Sequence, residues 1–587
     1  MEDITLPPIP DLEEIFRSLL AFLPNFSELH PFIQFALHSI DEALLVLACY
    51  WIVRFFTIST QRWLGLYSPS QYHYWPRLPW RWFYRTFWLA PKSWYEKLFL
   101  IGKRGHTGGF AGLLETLTYL YRPGMLYLGR ATLFGLWSLP QAIGSHLEKH
   151  CFCVASSGSG KSTHAITMLS EWAHSAFLID PDASISERLA IDDKRNWVIL
   201  DPYNISGFES AHFNVFDCLV AASKRTSGPG VVVWAERIAN ALVILPSGAK
   251  QPYFYEVARD FLKALILHVF SNYDESYWNL PTVRRLIVEG IRYCEDEDEK
   301  IVEIPKKERS EMLLFSMSEN TNYGTAIQGG VAALEQAAGE TAGNVWSTLS
   351  NATGWLDNPQ VAKILTKTTL PLEELQTKKD KVLSFVAPLQ SIRDGLAPLA
   401  KLLTDMIYDT FSMTLDHSKP CLMLVDEVPS QGFNNTFITI FAAGRKHGLL
   451  FFGIAQNLGQ MIRIYQDEWE TFLSEVDFVM YMGIGHMKTS DHIAKFLGEK
   501  TVLEKKNRTK TYRTVDVMDS DQVRRYLDAK NGNIILTRPG KRPLRLSIDK
   551  YFKGLSVRRY SPDPAYGDAF PRNITRKLFG RKANKES

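Results

Sequence analysis

The apolar run His150–Ala155, HCFCVA, is followed at once by SSGSGKST and then by the helical pattern HAITMLSEWAH. Strand, glycine loop and helix in that order are the context a phosphate-binding loop requires. Gly158 and Gly160 can adopt backbone angles that a side chain forbids, so successive amides can turn inward toward a β-phosphate. Ser157 and Ser159 complete the loop. Lys161 can reach the β- and γ-phosphates, Ser162 offers a hydroxyl to magnesium, and Thr163 lies in the first helical turn, whose dipole favours an anion. Where the usual G-x-x-x-x-G-K-S spacing begins with glycine this chain has Ala155, a sterically mild change.

A triphosphate site also needs carboxylates, and Cys421–Val425 is an apolar strand that ends in Asp426 and Glu427. Asp426 is the candidate to hold magnesium through water, and Glu427 the candidate base for an attacking water. A further apolar run, Leu449–Ala455, ends in Gln456, whose amide can sense a γ-phosphate. The turn before it carries Arg445, Lys446 and His447. Arg445 has two readings, an arginine finger across a subunit boundary or ordinary surface pairing.

Apolar strand candidates recur near 151–155, 175–180, 197–201, 382–387, 421–426, 449–455 and 477–482, with helical patterns between most of them. The alternation predicts an α/β fold with a mostly parallel sheet, and a ligand at the carboxyl ends of its strands. Lys161 and Asp426 are too far apart in sequence for a bare core. Residues 220–355 show helical periodicity, as in WAERIANALVIL and YEVARDFLKALILHVF, so an inserted all-α domain is expected there. The predicted organisation is an acidic N-terminus with a possible membrane-associated helix (1–60), an aromatic and basic membrane-proximal region (61–124), a nucleotide-binding domain in two parts (125–219 and 356–552) around the helical insert (220–355), and a basic tail (553–587). Within the insert the acidic run Cys294–Lys300 is expected to be a solvated loop.

The chain has 587 residues, 46% apolar and 22% charged, a globular balance with room for several cores. Its six cysteines form no C-x-x-C pair, so neither a zinc ribbon nor a disulfide framework is indicated. Net charge is only +3, yet residues 1–42 hold eight acids and one base while residues 500–587 hold 23 bases and 9 acids. No cleavable signal peptide is expected. Ala43–Val53 is apolar but shorter than the ~20 residues that span a bilayer. Residues 61–104 hold fourteen aromatics among eight bases, a mixture suited to a membrane interface or to stacking single-stranded nucleic acid. The basic stretch Glu504–Arg513 and the tail can neutralise phosphates without sequence preference, and a solvated tail is the other reading.

The loop ASSGSGKST, the strand ends FLIDPD and VILDP, the segment HFNVFD, the acidic strand LMLVDE and the stretch GRKHGLLFFGIAQNLGQMIRIYQ together resemble the type IV secretion coupling proteins, the conjugative DNA-transfer ATPases, over most of residues 125–550. The resemblance implies a RecA-like P-loop NTPase that uses ATP and Mg2+ and assembles as a homohexamer at the cytoplasmic face of a bacterial inner membrane. It would deliver DNA or a relaxase–DNA complex to type IV secretion channel components. Two departures stand out. Asp182 follows the first Asp-Pro where the family has lysine, and only the short Ala43 run offers itself where the family has two transmembrane helices. The alternatives are a chromosome-segregation or packaging-type DNA pump, and a non-enzymatic adaptor for secretion substrates.

Overall fold

The computed structural model describes residues 109–550, apart from short stretches at 133–139, 192, 227, 246–250, 296–300, 338–339, 414–418 and 507–508. The apolar run at 43–53, the aromatic region 61–104 and the tail 553–587 lie outside the described residues. Among the described residues no helix is long and apolar enough to cross a membrane.

The strands, in chain order, are β1 (Leu126–Thr132), β2 (Pro140–Ser145), β3 (His150–Ala155), β4 (Ala176–Ile179), β5 (Asn196–Leu200), the short β6 (Tyr293–Glu295) and β7 (Ile301–Glu303), β8 (Lys381–Phe385), β9 (Cys421–Asp426), β10 (Leu449–Ala455), β11 (Val476–Met482), β12 (Glu499–Lys506), β13 (Thr509–Asp516), β14 (Asn533–Arg538) and β15 (Lys541–Ser547). Eleven of them form one sheet in the order β2-β1-β15-β14-β11-β3-β10-β9-β4-β8-β5. The seven from β11 to β5 run parallel, and the four at the other edge pair antiparallel. All seven predicted strand positions fall on the parallel part.

Parallel strands covered on both faces read as unbroken apolar runs, and the side-chain period of two divides each run between two cores. Phe152 and Val154 of β3, Met423 and Val425 of β9 and Phe451 of β10 face one core. Cys151, Cys153, Leu422, Leu424, Phe452 and Ile454 face the other. The second face is covered by α1 (Lys161–Glu171), which buries Ala165, Ile166, Met168 and Leu169.

The chain between β5 and β8 holds the helices α2 (Phe216–Thr226), α3 (Gly228–Leu242), α4 (Pro252–Asn272), α5 (Leu280–Glu289), α6 (Arg309–Ser318), α7 (Ala326–Gln336) and α8 (Glu340–Thr353). In α4 almost every residue from Val257 to Phe270 is buried, because other helices pack around it. This segment is not purely helical. β6 and β7 pair as a small antiparallel hairpin, and the acidic run expected to be a loop begins on β6. Strands of three residues are too short to display an alternation in sequence.

One buried group ties stability to pH. His164 in α1 has neither ring nitrogen hydrogen-bonded, and burial pushes its pKa down to about 4. The unfolded chain takes up this proton near pH 6.5 and the folded chain does not, so this contribution to stability is present above pH 6.5 and is lost as pH falls toward 4. Asp180 and Asp409, pushed up to about 7 by burial, act in the opposite direction, so the test is a comparison. His164→Leu should lose less stability than wild type between pH 6.5 and pH 4.5 in denaturant titrations; an equal loss would dissociate His164 from acid sensitivity.

Candidate functional site

β3 ends in buried Ala155, and the loop Ser156–Gly160 leads directly into α1. Gly158 and Gly160 both sit at positive φ, +74° and +89°. No side chain caps the first turn of α1, which leaves its amides available to an anion. Ser157 and Gly158 are exposed, Gly160, Lys161, Ser162 and Thr163 are half-buried, and the hydroxyl of Ser159 is buried without a hydrogen-bond partner.

The loop and the acidic strand meet. Lys161 Nζ donates to Asp426 Oδ1 at 2.7 Å, across 265 positions of sequence. Burial opposes the Lys161 charge, but Asp426, with a smaller contribution from Glu427, holds its pKa above the usual value. β3, β10 and β9 are neighbours in parallel register, so the tips of all three strands end on the same edge.

Glu427 follows β9 at φ +84°, a left-handed conformation that costs a non-glycine residue about 1–3 kcal/mol and is held only where its surroundings enforce it. It is 2% exposed, and neither carboxylate oxygen accepts a hydrogen bond of good geometry. Burial raises its pKa; Lys161 and then the nearby Gln456 amide pull it back, Asp426 pushes it up, and Arg393 pulls it down. Gln456, at the tip of β10, borders a cavity of about 380 Å³ together with Ser156, Asn457, Gly483, His486 and Arg524. Lys161, Asp426, Glu427 and Gln456 are thus brought to one place.

Arg445 is not among them. It is exposed on the turn Gly444–His447, before β10, whereas Gln456 follows that strand. A seven-residue strand separates the two by roughly 20 Å at ~3.3 Å per residue. Within one chain Arg445 therefore lies at the opposite end of the sheet from the loop. The aspartates of the paired Asp-Pro strand ends are occupied locally. Asp180 accepts from the Ile185 and Ser186 amides and the Ser186 hydroxyl, and Asp201 accepts from the Ser206 amide and hydroxyl.

Two contributors escape a reading by motif. Arg393 lies on a π-helical turn, Ile392–Leu396, that packs against the turn after Glu427, and π-turns inside helices concentrate at functional sites. Gly483, after β11, presses on the phosphate loop. Ser156 Oγ donates to its carbonyl, and a Cβ at Gly483 would stand 2.2 Å from Ser159 Cβ. A buried strand ending in Gly-Ile-Gly was the available signal.

These groups fit a magnesium–triphosphate. The buried unpaired oxygens of Ser159 and Glu427 face the need for a polar ligand, and Lys161 supplies charge. Among the described residues no group of three or more His, Cys, Asp or Glu could hold a metal alone. Ser162 would offer it a hydroxyl and Asp426 would hold it through water.

The chain is 23% identical over 366 residues to the type IV secretion system-coupling protein VirD4 of Bartonella henselae, a match that covers 60% of this chain and 53% of that protein. It is 24% identical over 367 residues to the conjugal transfer protein TraG of Agrobacterium fabrum, covering 61% and 52%. The chain thus matches about half the length of these relatives. The unbound monoclinic form of the conjugative coupling protein TrwBdeltaN70 superposes with a TM-score of 0.55 at 14% identity, covering 76% of this chain and 95% of that one, a likeness of fold. The model of the family described as "Type IV secretory system Conjugative DNA transfer" matches residues 114–539, well over half of the sequence, and the chain belongs to that family.

Proposed function

We propose that this protein is an ATP-driven coupling protein that takes DNA or a relaxase–DNA complex to a type IV secretion channel. The observation that carries the reading is the 2.7 Å contact between Lys161 and Asp426 beside the buried, unpaired Glu427. A nucleotide binder needs only the first; the second is what hydrolysis requires. The loop amides and Lys161 hold the phosphates, and Ser162 through its hydroxyl and Asp426 through water would hold Mg2+, which when bound would neutralise charge on the transferred phosphoryl group. Glu427 takes the proton from the attacking water, and Gln456 senses the γ-phosphate. The fold is RecA-like, with the helices between β5 and β8 as an inserted lobe.

The far position of Arg445 supports action in trans. A ring of copies, a homohexamer as in the resemblance, would set one subunit's Arg445 against its neighbour's triphosphate. Attachment to the inner membrane, on its cytoplasmic face, falls to the aromatic and basic region before residue 109. Among the described residues β12 and β13 pair only with each other, as a ribbon separate from the main sheet, and their sequence carries the basic stretch Glu504–Arg513. Such a ribbon suits a backbone contact to DNA that weakens with salt.

The test is ATP hydrolysis by the full chain with and without DNA. Wild type should be stimulated by DNA of any sequence, less so at high salt, and Lys161→Ala should fall to background. Hydrolysis by Lys161→Ala at the wild-type rate would remove the motor and leave a folded adaptor.

A further inference from the structure

The phosphate loop is bracketed. Gly483 presses on it from one side, and on the other the chain that leaves β15 lies along α1. Ile548 donates its amide to the Gly532 carbonyl at 2.8 Å, which holds it in line with the sheet. Its Cδ1 lies 3.2 Å from the point a Cβ would occupy on Gly160, and apart from the adjoining residues of the loop no other described residue comes within 4 Å of that point. Gly160 is where loop becomes helix, directly before Lys161. The Ile548 methyl therefore lies beside the loop at Gly160, whose φ is +89°, and fills the space a side chain there would need.

What holds Ile548 there is the next residue. Arg130 Nη2 donates to Asp549 Oδ2 at 2.7 Å, and the Tyr127 hydroxyl donates to the same oxygen at 3.2 Å. The hydroxyl of Thr167 in α1 is shared between its own helix, at Thr163 O, and the Asp549 carbonyl, at 3.0 Å. Asp549 is thus tied both to β1 and to the helix that the loop enters. The ion pair is mostly shielded, with side-chain exposures of 11% and 18%, so its attraction is less screened than that of a surface pair. Three elements from distant parts of the chain, β1, α1 and the end of β15, converge on one carboxylate and one backbone oxygen.

We propose that Ile548 and Asp549 form a positioning latch for the phosphate loop: Asp549, gripped by Arg130, Tyr127 and Thr167, seats the Ile548 side chain against Gly160 and so holds the loop in the shape that receives the triphosphate. Neither residue takes part in the chemical step. The inference rests on the reading of the loop as an ATP site. Loss of the latch should therefore weaken binding and leave turnover of bound nucleotide nearly unchanged, a split that a general loss of stability does not produce.

The experiment measures MgATP affinity, KM and kcat on the full chain for wild type, Lys161→Ala, Ile548→Ala, Asp549→Ala, Asp549→Asn and the double variant Ile548→Ala/Asp549→Ala. Each alanine single should raise the dissociation constant and KM about fivefold to tenfold, with kcat within about twofold of wild type. Because Asp549 acts through Ile548, the double variant should be no worse than the weaker single, whereas independent effects would multiply. Asp549→Asn keeps an oxygen for Arg130 and Tyr127 and should recover most of the affinity. Ile548 is partly exposed, so its truncation tests the latch even if Asp549→Ala fails to fold. Wild-type affinity in Ile548→Ala, or multiplied losses in the double variant, would overturn the latch. Wild-type affinity in Lys161→Ala would instead overturn the nucleotide site itself.

Discussion

Glu427→Gln should lower ATP turnover about a thousandfold, within the range that removal of a general base gives, while MgATP still binds. The amide keeps the size of the carboxylate, so the strained turn at φ +84° and its packing survive. What is lost is the only group at the tip of β9 able to take a proton, since Asp426 is engaged by Lys161. Burial, as the largest influence, raises the Glu427 pKa above the usual carboxylate value. In wild type kcat should accordingly fall as pH drops through that raised pKa, and the residual activity of the glutamine variant should lack this acid limb. Pre-steady-state hydrolysis with separately measured nucleotide affinity decides the matter. A variant that turns over at the wild-type rate, or loses binding and turnover together, would refute the base assignment.

Gly483→Ala carries the second large effect. The added methyl meets Ser159 Cβ at 2.2 Å, a contact real side chains do not make, and the position lies at φ +58° where an L-residue is already strained. Relief can come from displacing the phosphate loop, since Gly483 is followed by Ile484, buried in the core. The variant should bind MgATP at least about tenfold more weakly and lose roughly 1–3 kcal/mol of stability, as strained or overpacked sites do. Calorimetry and denaturant titration together test this. Unchanged affinity in a folded protein would mean that the loop tolerates the shift.

Gly483 also illustrates where reading a sequence stops. The seven parallel strands were legible because burial on both faces writes each as a continuous apolar run, Leu449–Ala455 being the clearest. The phosphate loop and the Asp426–Glu427 pair were legible because their chemistry is local, each within a few residues. Of the antiparallel edge, the apolar stretch Met125–Ile143, broken by Gly129, Arg130, Gly135 and Pro140, reads as strands and turns, and β1 and the start of β2 fall on it, whereas β14 and β15 carry no such signal. β15 is a half-exposed strand in which Lys541, Arg542 and Arg545 alternate with or flank buried Leu544 and Leu546, and nothing chemical marks it. The neighbours of the loop depend on sheet order. Gly483 arrives because β11 lies beside β3, and Ile548 because β15 returns alongside β1, two pairings that no local pattern encodes. Arg393 sits on a π-turn, a register change that ordinary helical periodicity hides. Arg445 has the converse history, close to Gln456 in sequence and a strand length away in space.

The pairing of β1 with β15 bears on how fragments of this protein should be cut. Beyond the strand contact, the Ala111 amide bonds to the Pro543 carbonyl at 2.8 Å, Arg545 stacks over the Phe110 ring at 3.8 Å, and Arg538 pairs with Glu115 at 2.6 Å. Residues 110–132 therefore serve as the partner strip of β15 and its hairpin. A truncation starting after Thr132 would uncover a sheet edge and remove the carboxylate partner of Arg538 and both side-chain partners of the Asp549 carboxylate, inviting aggregation through that edge. A start upstream of Gly109 keeps the strip.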